Sequence, residues 1–115
     1  MKTLTVIIPI FNEERTISQI VSNLNSLPKN VISECIFVND GSTDSTSQIL
    51  TKSLCGVSFK YVVVNKENGG KSSAIKEGVK LLSTTHAVIL DADLEYSVGD
   101  LEKFWAIVNS GKSDY

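Results

Sequence analysis

Four short apolar runs, nearly uninterrupted by polar residues, recur along the 115-residue chain. They extend from Leu4 to Ile10, Cys35 to Val38, Phe59 to Val64 and Ala87 to Leu90. Continuous β-branched runs of this length are typical of strands that are buried on both faces, as in a parallel sheet. The pattern therefore predicts four such strands.

The segments between these runs repeat apolar residues at helical spacing, which predicts amphipathic helices that pack on the sheet. Pro28 ends the first helix. Its apolar stripe consists of Ile17, Ile20, Val21, Leu24 and Leu27. The stripe of the third predicted helix consists of Ala74, Ile75, Gly78, Val79 and Leu82. The stripe of the fourth consists of Leu101, Phe104, Trp105 and Val108. A second helix, about Thr43 to Leu54, is rich in Ser and Thr and has one apolar side.

The alternation of strands and helices defines the expected architecture. An order of βαβαβαβα selects an α/β fold of Rossmann-like type, with right-handed crossovers and helices on both faces of the sheet. The length fits one domain, and the chain contains no internal repeat or linker. Ligands of such open sheets bind beyond the carboxyl ends of the strands. Functional residues are therefore expected directly after the four apolar runs.

Polar segments do follow the predicted strands. They are Pro9-Ile10-Phe11-Asn12-Glu13-Glu14, Asn39-Asp40-Gly41-Ser42-Thr43-Asp44, Asn65 to Lys71, and Asp91-Ala92-Asp93. Two of these segments have two interpretations each. Asp40-Gly41-Ser42 either contacts a ligand or forms a turn followed by a helix cap. Glu13 and Glu14 either face a ligand or complement the dipole of the first helix.

The triplet Asp91-Ala92-Asp93 indicates a metal site. Two carboxylates one residue apart, directly after a buried strand, repel each other unless a cation or a hydrogen-bond donor compensates them. Mg²⁺ and Mn²⁺ prefer oxygen ligands, and Mg²⁺ commonly takes one or two carboxylates together with substrate phosphates. The position of the triplet after a strand therefore suits a metal-bound diphosphate.

The segment Asn68-Gly69-Gly70-Lys71 opens the third predicted helix. A Gly-Gly turn at a helix N-terminus offers free backbone N–H groups and the positive end of the helix dipole, which suits an anionic phosphate. The segment is not a P-loop, because the required spacing of glycines and lysine is absent. A plain loop with a serine cap is the alternative interpretation.

Composition and charge narrow the class of partner. The formal net charge is -2 and the pI is about 5.3, so the chain lacks the basic surface that nucleic acid requires. Cys35 and Cys55 lack the spacing of a zinc or redox pair and are expected to be free thiols. No apolar run reaches the ~18 residues of a membrane span, and no signal peptide is recognisable. We therefore expect a cytoplasmic location, with membrane association left open for a longer parent protein.

Taken together, the four polar segments resemble those of glycosyltransferase family 2. The resemblance is carried by Val6 to Glu13, Val38 to Thr46, Asn68 to Lys71 and Asp91 to Leu94, which occur in the order and at the spacing of the family. It implies a GT-A fold with strand order 3-2-1-4, a UDP- or GDP-sugar donor and inversion at the anomeric carbon. The run Asp91 to Tyr96 looks most like the branch that glycosylates dolichyl or other polyprenyl phosphates.

The resemblance also implies roles for individual residues. Pro9, Phe11 and Glu13 would line the base pocket, and Asp40 would hold the nucleobase or ribose. Lys71 would lie near the base or the diphosphate. The Asp-x-Asp triplet would complete the donor site, with Asp91 and Ala92 beside the donor and with Asp93 and Asp91 at the Mg²⁺ or Mn²⁺ ion.

Three departures from the family pattern qualify these roles. Asn39 stands where many relatives carry the first acid of an Asp-Asp pair, so Asp40 would make that contact alone. Ser72 replaces a common glycine, and Ser97-Val98 replaces the usual Asp-Pro, which weakens the polyprenyl-phosphate assignment.

Residues 1–115 would form the nucleotide-sugar-binding part only. The acceptor-binding part is then absent, no catalytic base is assigned, and little transfer is expected from this chain alone.

Two other classes and one assembly remain as alternatives. A non-catalytic nucleotide-binding module would bind a donor without turnover. A phosphoacceptor receiver domain would need an Asp after the third strand and a fifth strand, and the sequence offers neither. In the GT-A order, the outer edge of the fourth strand would be bare, and a bare apolar edge invites pairing with another chain. We therefore expect a homo-oligomer formed through that edge.

Overall fold

A computed structural model describes residues 3–28 and 30–92, together with residues 103, 105 and 106. Strands and helices alternate as predicted. The elements are β1 (Leu4–Ile10), α1 (Ile17–Asn25), β2 (Glu34–Asp40), α2 (Thr46–Ser53), β3 (Tyr61–Lys66), α3 (Lys71–Val79) and β4 (His86–Ile89). Of the fourth predicted helix, Lys103, Trp105 and Ala106 are helical, whereas the other residues of its stripe lie outside the described residues.

The four strands form one parallel sheet in the order β3-β2-β1-β4, which confirms the predicted α/β fold. Ile7 of β1 is in register with Ile36 of β2 on one side and with Ile89 of β4 on the other. Across the next pair, Asp40 of β2 is in register with Lys66 of β3. Because all strands run in the same direction, their carboxyl ends meet at one edge of the sheet.

The larger part of the core lies between the sheet and the helices α1 and α2. The predicted stripe of α1 is buried from Ile17 to Leu24, and Leu50 of α2 joins it. Trp105 is buried in the same core and its ring lies edge-on to that of His86, with 5.6 Å between centroids. Burial of each large aliphatic side chain here contributes about 1.5–3 kcal/mol.

Helix α3 covers the opposite face of the sheet at close range. Ala74 packs with Ile36 and Val38 of β2. A Cβ added at Gly78 would lie 2.7 Å from Cγ2 of Ile7, so only glycine permits this approach of helix to strand. The helices therefore lie on both faces, as the strand–helix alternation predicted.

The prediction that all four strands are buried on both faces is wrong for β3 and β4. Tyr61, Val62 and Val63 of β3 are exposed, and so is Ile89 of β4. In the described part of the chain these two strands form the sheet edges, and α3 packs mainly over β1 and β2. An apolar run alone does not distinguish an edge strand from a central one.

Helix α2 begins at Thr46, three residues later than predicted, because the Asp44 side chain binds the first residue of the helix. The Asp44 carboxylate accepts hydrogen bonds from the hydroxyl and the backbone N–H of Thr46. These bonds, the hydroxyl bond foremost, outweigh a small desolvation effect and lower the pKa of Asp44. The dipole interpretation of Glu13 and Glu14 is also wrong, because neither lies in the first turn of α1.

The two cysteines are free, and they differ in environment. Cys35 lies within β2 and is buried, whereas Cys55 is exposed just after α2. Burial, with a smaller contribution from the charge of Glu34, raises the pKa of the Cys35 thiol to about 12. None of the helices in the described residues combines the length and apolar character that crossing a membrane requires.

Candidate functional site

A cavity of about 360 Å³ opens at the carboxyl ends of β1, β2 and β4. Its volume lies within the range of roughly 300–1,000 Å³ that is usual for small-molecule sites. All seven residues that the sequence assigned to the donor line it, namely Pro9, Phe11, Glu13, Asp40, Lys71, Asp91 and Ala92. The other residues that line the cavity are Ile10, Asn68, Gly70 and Ala74, of which Asn68 and Gly70 belong to the predicted Gly-Gly segment.

The Asp40 carboxylate forms the buried floor of this cavity. Its Oδ1 accepts hydrogen bonds from Lys66 Nζ at 2.6 Å and from the Gly69 N–H at 3.0 Å. Its Oδ2 accepts one from the Gly70 N–H at 2.9 Å, and Asn68 Nδ2 lies 3.4 Å away. Burial opposes ionisation of this group, but the bonds from Lys66, Gly69 and Gly70 outweigh it and lower the pKa of Asp40.

This arrangement changes the interpretation of the Gly-Gly segment. The sequence predicted that the N–H groups of Gly69 and Gly70 are free to bind a phosphate. In the structure both donate to Asp40, so an internal carboxylate holds the N-terminus of α3. Asp40 does not cap α2, the next helix along the chain, because α2 begins six residues later. It contacts the start of α3 instead.

Two loops interlock above the carboxylate. Asn68 Nδ2 donates a hydrogen bond to the backbone oxygen of Asp40 at 3.0 Å. A Cβ added at Gly41, whose φ is +73°, would lie 2.6 Å from the backbone nitrogen of Asn68. Gly41 is therefore required both for its left-handed backbone and for the close approach of the two chains. Together these contacts fix the wall of the cavity.

Asn39, the departure from the family's acidic pair, points away from the cavity. Successive side chains of a strand alternate between the two faces of a sheet, so Asn39 and Asp40 face opposite sides. Asn39 Nδ2 donates to Ser47 Oγ at 2.6 Å and to Asn65 Oδ1 at 3.2 Å. The Asn39 amide thus connects β2 to α2 and β3. Of these two residues, Asp40 is the one that faces the cavity.

The first strand contributes one exposed ring and one oriented acid. Phe11 is 46% exposed and presents an aromatic surface at the cavity. Glu13 Oε2 accepts a hydrogen bond from Thr16 Oγ1 at 3.2 Å, and the Glu13 N–H donates to Thr46 Oγ1 at 2.9 Å. Thr16 Oγ1 also hydrogen-bonds the backbone oxygen of Ala92. The start of α1 therefore aligns the segments after β1 and β4.

Lys71 and Asp91 form an ion pair across the cavity. The Lys71 side chain is 58% exposed and that of Asp91 is 26% exposed, so water reaches both partners. The two carboxylates of the Asp-x-Asp triplet need a compensating group, and for Asp91 this group is the Lys71 ammonium. Asp93, the principal predicted metal ligand, lies outside the described residues.

The Asp91 carboxylate could serve as one ligand of a hard divalent cation. A carboxylate at the cavity is a normal ligand for Mg²⁺ or Mn²⁺. The described residues contain no group of three or more His, Cys, Asp or Glu side chains that could hold a metal.

Sequence reasoning missed two residues of the site, Lys66 and Asn68. Lys66 ends β3 directly opposite Asp40. A prediction of the β2–β3 register would have identified it, because that register places the lysine beside the carboxylate. Asn68 was noted only as part of the Gly-Gly segment. Its amide contacts with Asp40 depend on the path of the loop and have no signal in the sequence.

These features define an α/β protein with a cavity that contains acidic side chains at the switch point of a parallel sheet. Comparison with known proteins identifies the family. The sequence model described as Glycosyl transferase family 2 matches residues 5–115. The chain therefore belongs to glycosyl transferase family 2, as the motif resemblance indicated.

Individual relatives agree with this assignment. The chain is 34% identical over 93 residues to poly-beta-1,6-N-acetyl-D-glucosamine synthase of Staphylococcus aureus, a match that covers 81% of the chain and 22% of that protein. It resembles a crystal structure of S. aureus TarS 1-349 in complex with UDP, with a TM-score of 0.80 and 26% identity, covering 99% of this chain and 34% of the other.

A second solved structure carries a metal. Glucosyl-3-phosphoglycerate synthase from Mycobacterium tuberculosis, in complex with Mn²⁺, UDP and glucosyl-3-phosphoglycerate, matches with a TM-score of 0.65 and 25% identity. The match covers 79% of this chain and 33% of that one. This chain thus spans between a fifth and about a third of the length of these relatives.

Proposed function

We propose that residues 1–115 form the donor-binding part of an inverting glycosyltransferase that transfers a sugar from a nucleoside diphosphate sugar to an acceptor. The observation that carries this proposal is the convergence of seven assigned residues, from three strand ends and the start of α3, on one cavity. The two related structures that contain UDP support the same ligand class. Residues that bind the acceptor and supply the catalytic base would belong to another part of the protein.

The acceptor positions left on Asp40 favour UDP over GDP. A carboxylate offers about four lone-pair positions for hydrogen bonds. Lys66 and Gly69 take those of Oδ1, and Gly70 takes one on Oδ2, where Asn68 makes only a long contact. The Asn68 contact, at 3.4 Å, is the longest of the four, and its exchange would open one position to a ligand. Uracil presents a single ring N–H donor, whereas guanine presents two adjacent donors that would need both oxygens.

The remaining residues divide between the base and the diphosphate. Pro9, Phe11 and Glu13 would border the base, with the exposed Phe11 ring available for stacking. Lys71 would turn from Asp91 toward the diphosphate, where its ammonium is a suitable phosphate ligand. The backbone of Ala92, fixed by Thr16, would border the donor between the two acids of the triplet.

Mg²⁺ or Mn²⁺ would be held by Asp93 together with Asp91. When bound, the metal supplies positive charge that stabilises the leaving nucleoside diphosphate. Asp91 is accessible to it once the Lys71 ammonium moves, because the pair is open to water. The presence of Mn²⁺ beside UDP in the related synthase supports this role.

The acceptor that the run Asp91 to Tyr96 supports is a polyprenyl phosphate, and a longer parent protein would then work at a membrane surface. The test is sugar transfer by that longer protein to a short-chain polyprenyl phosphate. A phosphate-free polyprenol serves as the matched control. Transfer only to a soluble sugar or to phosphoglycerate would contradict the proposed acceptor.

We also propose that the isolated chain associates with a second copy through β4. In the described residues β4 pairs with β1 alone, and Ile89, the last residue of β4, is exposed. An unpaired apolar edge promotes association. Light scattering at tens of micromolar should therefore report a dimer or a larger species, and a monodisperse monomer would contradict this.

Titration calorimetry tests the central proposal. UDP and UDP-glucose should bind in the presence of Mn²⁺, and binding should weaken when the metal is removed by chelation. GDP and GDP-mannose should bind less tightly under the same conditions. Binding of neither nucleotide in Mn²⁺ would refute the proposal, and a preference for GDP would refute the assignment of the base.

A further inference from the structure

Lys66 lies beneath the cavity and does not line it. It is the last residue of β3, and its Nζ lies 2.6 Å from Asp40 Oδ1 and 2.6 Å from the backbone oxygen of Glu67. The side chains of Lys66 and Asp40 are 17% and 4% exposed. The buried Asp40 carboxylate and the half-buried Lys66 ammonium are thus held together by the β2–β3 register, and Lys66 is not among the residues that line the cavity.

The contacts of Asp40 show what this lysine supports. The carboxylate spans from Lys66 on one side to the N–H groups of Gly69 and Gly70 on the other. A Cβ added at Gly69 would lie 3.0 Å from Lys66 Nζ, so the ammonium also packs directly against this loop. Displacement of Asp40 would therefore release the segment that forms the α3 side of the cavity.

We propose that Lys66 is a positioning residue for nucleotide binding, which keeps the Asp40 carboxylate and, through it, the Asn68–Gly70 loop in the binding arrangement. This inference rests on the proposed function. The contrasting possibility is that Lys66 contributes only to stability. A purely structural lysine would change the melting temperature without changing how binding depends on pH.

The charges around Asp40 determine the expected pH dependence. The other charged side chains of the cavity are Glu13, Asp91 and Lys71, and Lys71 is engaged with Asp91. Lys66 is thus the cation in direct contact with Asp40 among the described residues. Without Lys66 the carboxyl loses a hydrogen bond and a neighbouring positive charge, both of which lower its pKa, so the pKa of Asp40 should be higher than in the parent. A protonated carboxyl accepts fewer hydrogen bonds, so the loop would loosen as the pH falls.

The experiment compares the parent chain with Lys66→Gln, which removes the charge but keeps a hydrogen-bonding group. A second variant, Lys66→Arg, keeps the positive charge. The matched control is Lys60→Gln, because Lys60 pairs with Glu34 at 3.6 Å while its side chain is 76% exposed. The chain has seven glycines, so ¹⁵N-glycine labelling resolves the Gly69 and Gly70 amides for titration between pH 5 and 8.

The glycine amides report the position of the loop without any nucleotide. In the parent, Asp40 is ionised throughout this range, and the two amide shifts should stay constant. In Lys66→Gln both should titrate together, and in Lys66→Arg and Lys60→Gln they should stay constant. Constant Gly69 and Gly70 shifts in Lys66→Gln would overturn the proposal.

Calorimetry with UDP and Mn²⁺ then measures the consequence for binding. The ratio of variant to parent dissociation constants cancels the titration of the phosphate itself. For Lys66→Gln this ratio should rise about tenfold from pH 8 to pH 5, and for Lys60→Gln it should remain near one. A ratio for Lys66→Gln that is independent of pH would overturn the proposal. Absence of UDP binding by the parent would instead refute the proposed function, and the positioning role with it.

Discussion

Two lysine–aspartate pairs lie at the carboxyl ends of the strands, and they differ in how far water reaches them. The Lys66–Asp40 pair is largely shielded from water, with side chains 17% and 4% exposed, and its carboxylate is buried. The Lys71–Asp91 pair is open, at 58% and 26%. Lys66 is held by the sheet register, whereas Lys71 begins α3 and its side chain extends into solvent.

Exposure separates the fixed part of the site from the part that can change partners. Removing one member of a buried pair leaves an uncompensated charge in a medium that solvates it poorly, so the pair belongs to the folded framework. An ion pair in contact with water contributes only about 0–1 kcal/mol, so either partner can be exchanged for a ligand at little cost. Asp40 is thus preorganised, whereas Asp91 and Lys71 would be the partners exchanged for the proposed metal and diphosphate.

The largest effect is expected for Asp40→Ala. It leaves Lys66 and the N–H groups of Gly69 and Gly70 without their acceptor, so the free energy of unfolding should fall by about 3 kcal/mol. UDP binding should be lost as well. Urea denaturation and calorimetry measure the two effects. Asp91→Ala is the matched control, and an equal loss of stability there would break the distinction between the pairs.

The same carboxylate predicts how stability depends on pH. The folded-state pKa of Asp40 lies below its ordinary value, so its contribution is fully present above that value. It is lost as the pH falls through the depressed pKa. The stability difference between the parent and Asp40→Asn should therefore be constant from pH 5 to 8 and should shrink in more acidic solution. A difference that instead grows with acidity would contradict the assignment.

Asp93→Ala should produce the next largest effect, confined to binding. With this carboxylate removed, the metal retains too few protein ligands to hold the diphosphate. The dissociation constant of UDP in Mn²⁺ should rise on the order of 100-fold, equivalent to about 2.7 kcal/mol, toward the metal-free value. Glu77→Ala, an acid on the exposed surface of α3, is the control. If Asp93→Ala binds UDP as tightly as the parent, the metal role is wrong.

Lys71→Met should give two smaller effects of opposite sign. UDP should bind about tenfold more weakly, equivalent to about 1.4 kcal/mol, because a phosphate ligand is removed. Mn²⁺ alone should bind more tightly, because Asp91 no longer has a competing cation. Calorimetry with each ligand separately measures both, and stability should change by less than about 1 kcal/mol. A weakening of both ligands would argue against exchange at Asp91.

The smallest effect is expected at Lys80, which pairs with Glu77 on the surface of α3 at 3.1 Å. Lys80→Met should change the free energy of unfolding by no more than about 0.5 kcal/mol and leave UDP affinity unchanged. Chemical denaturation provides the measurement. A substantial loss here would show that exposure does not separate the contributions of ion pairs in this protein.

Much of the fold was predictable because it depends on short-range periodicity. The bounds of β1 were predicted at both ends, and the α1 stripe from Ile17 to Leu24 is buried. The meeting of Pro9, Asp40 and Asp91 at one cavity follows from parallel strands having their carboxyl ends at one edge. The periodicity did not indicate that β3 and β4 are exposed, because burial of a strand depends on which elements cover it.

The order of elements, the family and seven of the residues that line the cavity could therefore be read from local patterns in the chain. The pairing of hydrogen-bond donors with acceptors at the cavity depends on the tertiary structure. The N–H groups of Gly69 and Gly70 were equally suited to a phosphate or to a carboxylate, and the β2–β3 register places Asp40 against them with Lys66 behind it. The physical reason is that hydrogen-bond partners and desolvation depend on residues more than twenty positions apart, which local patterns do not encode.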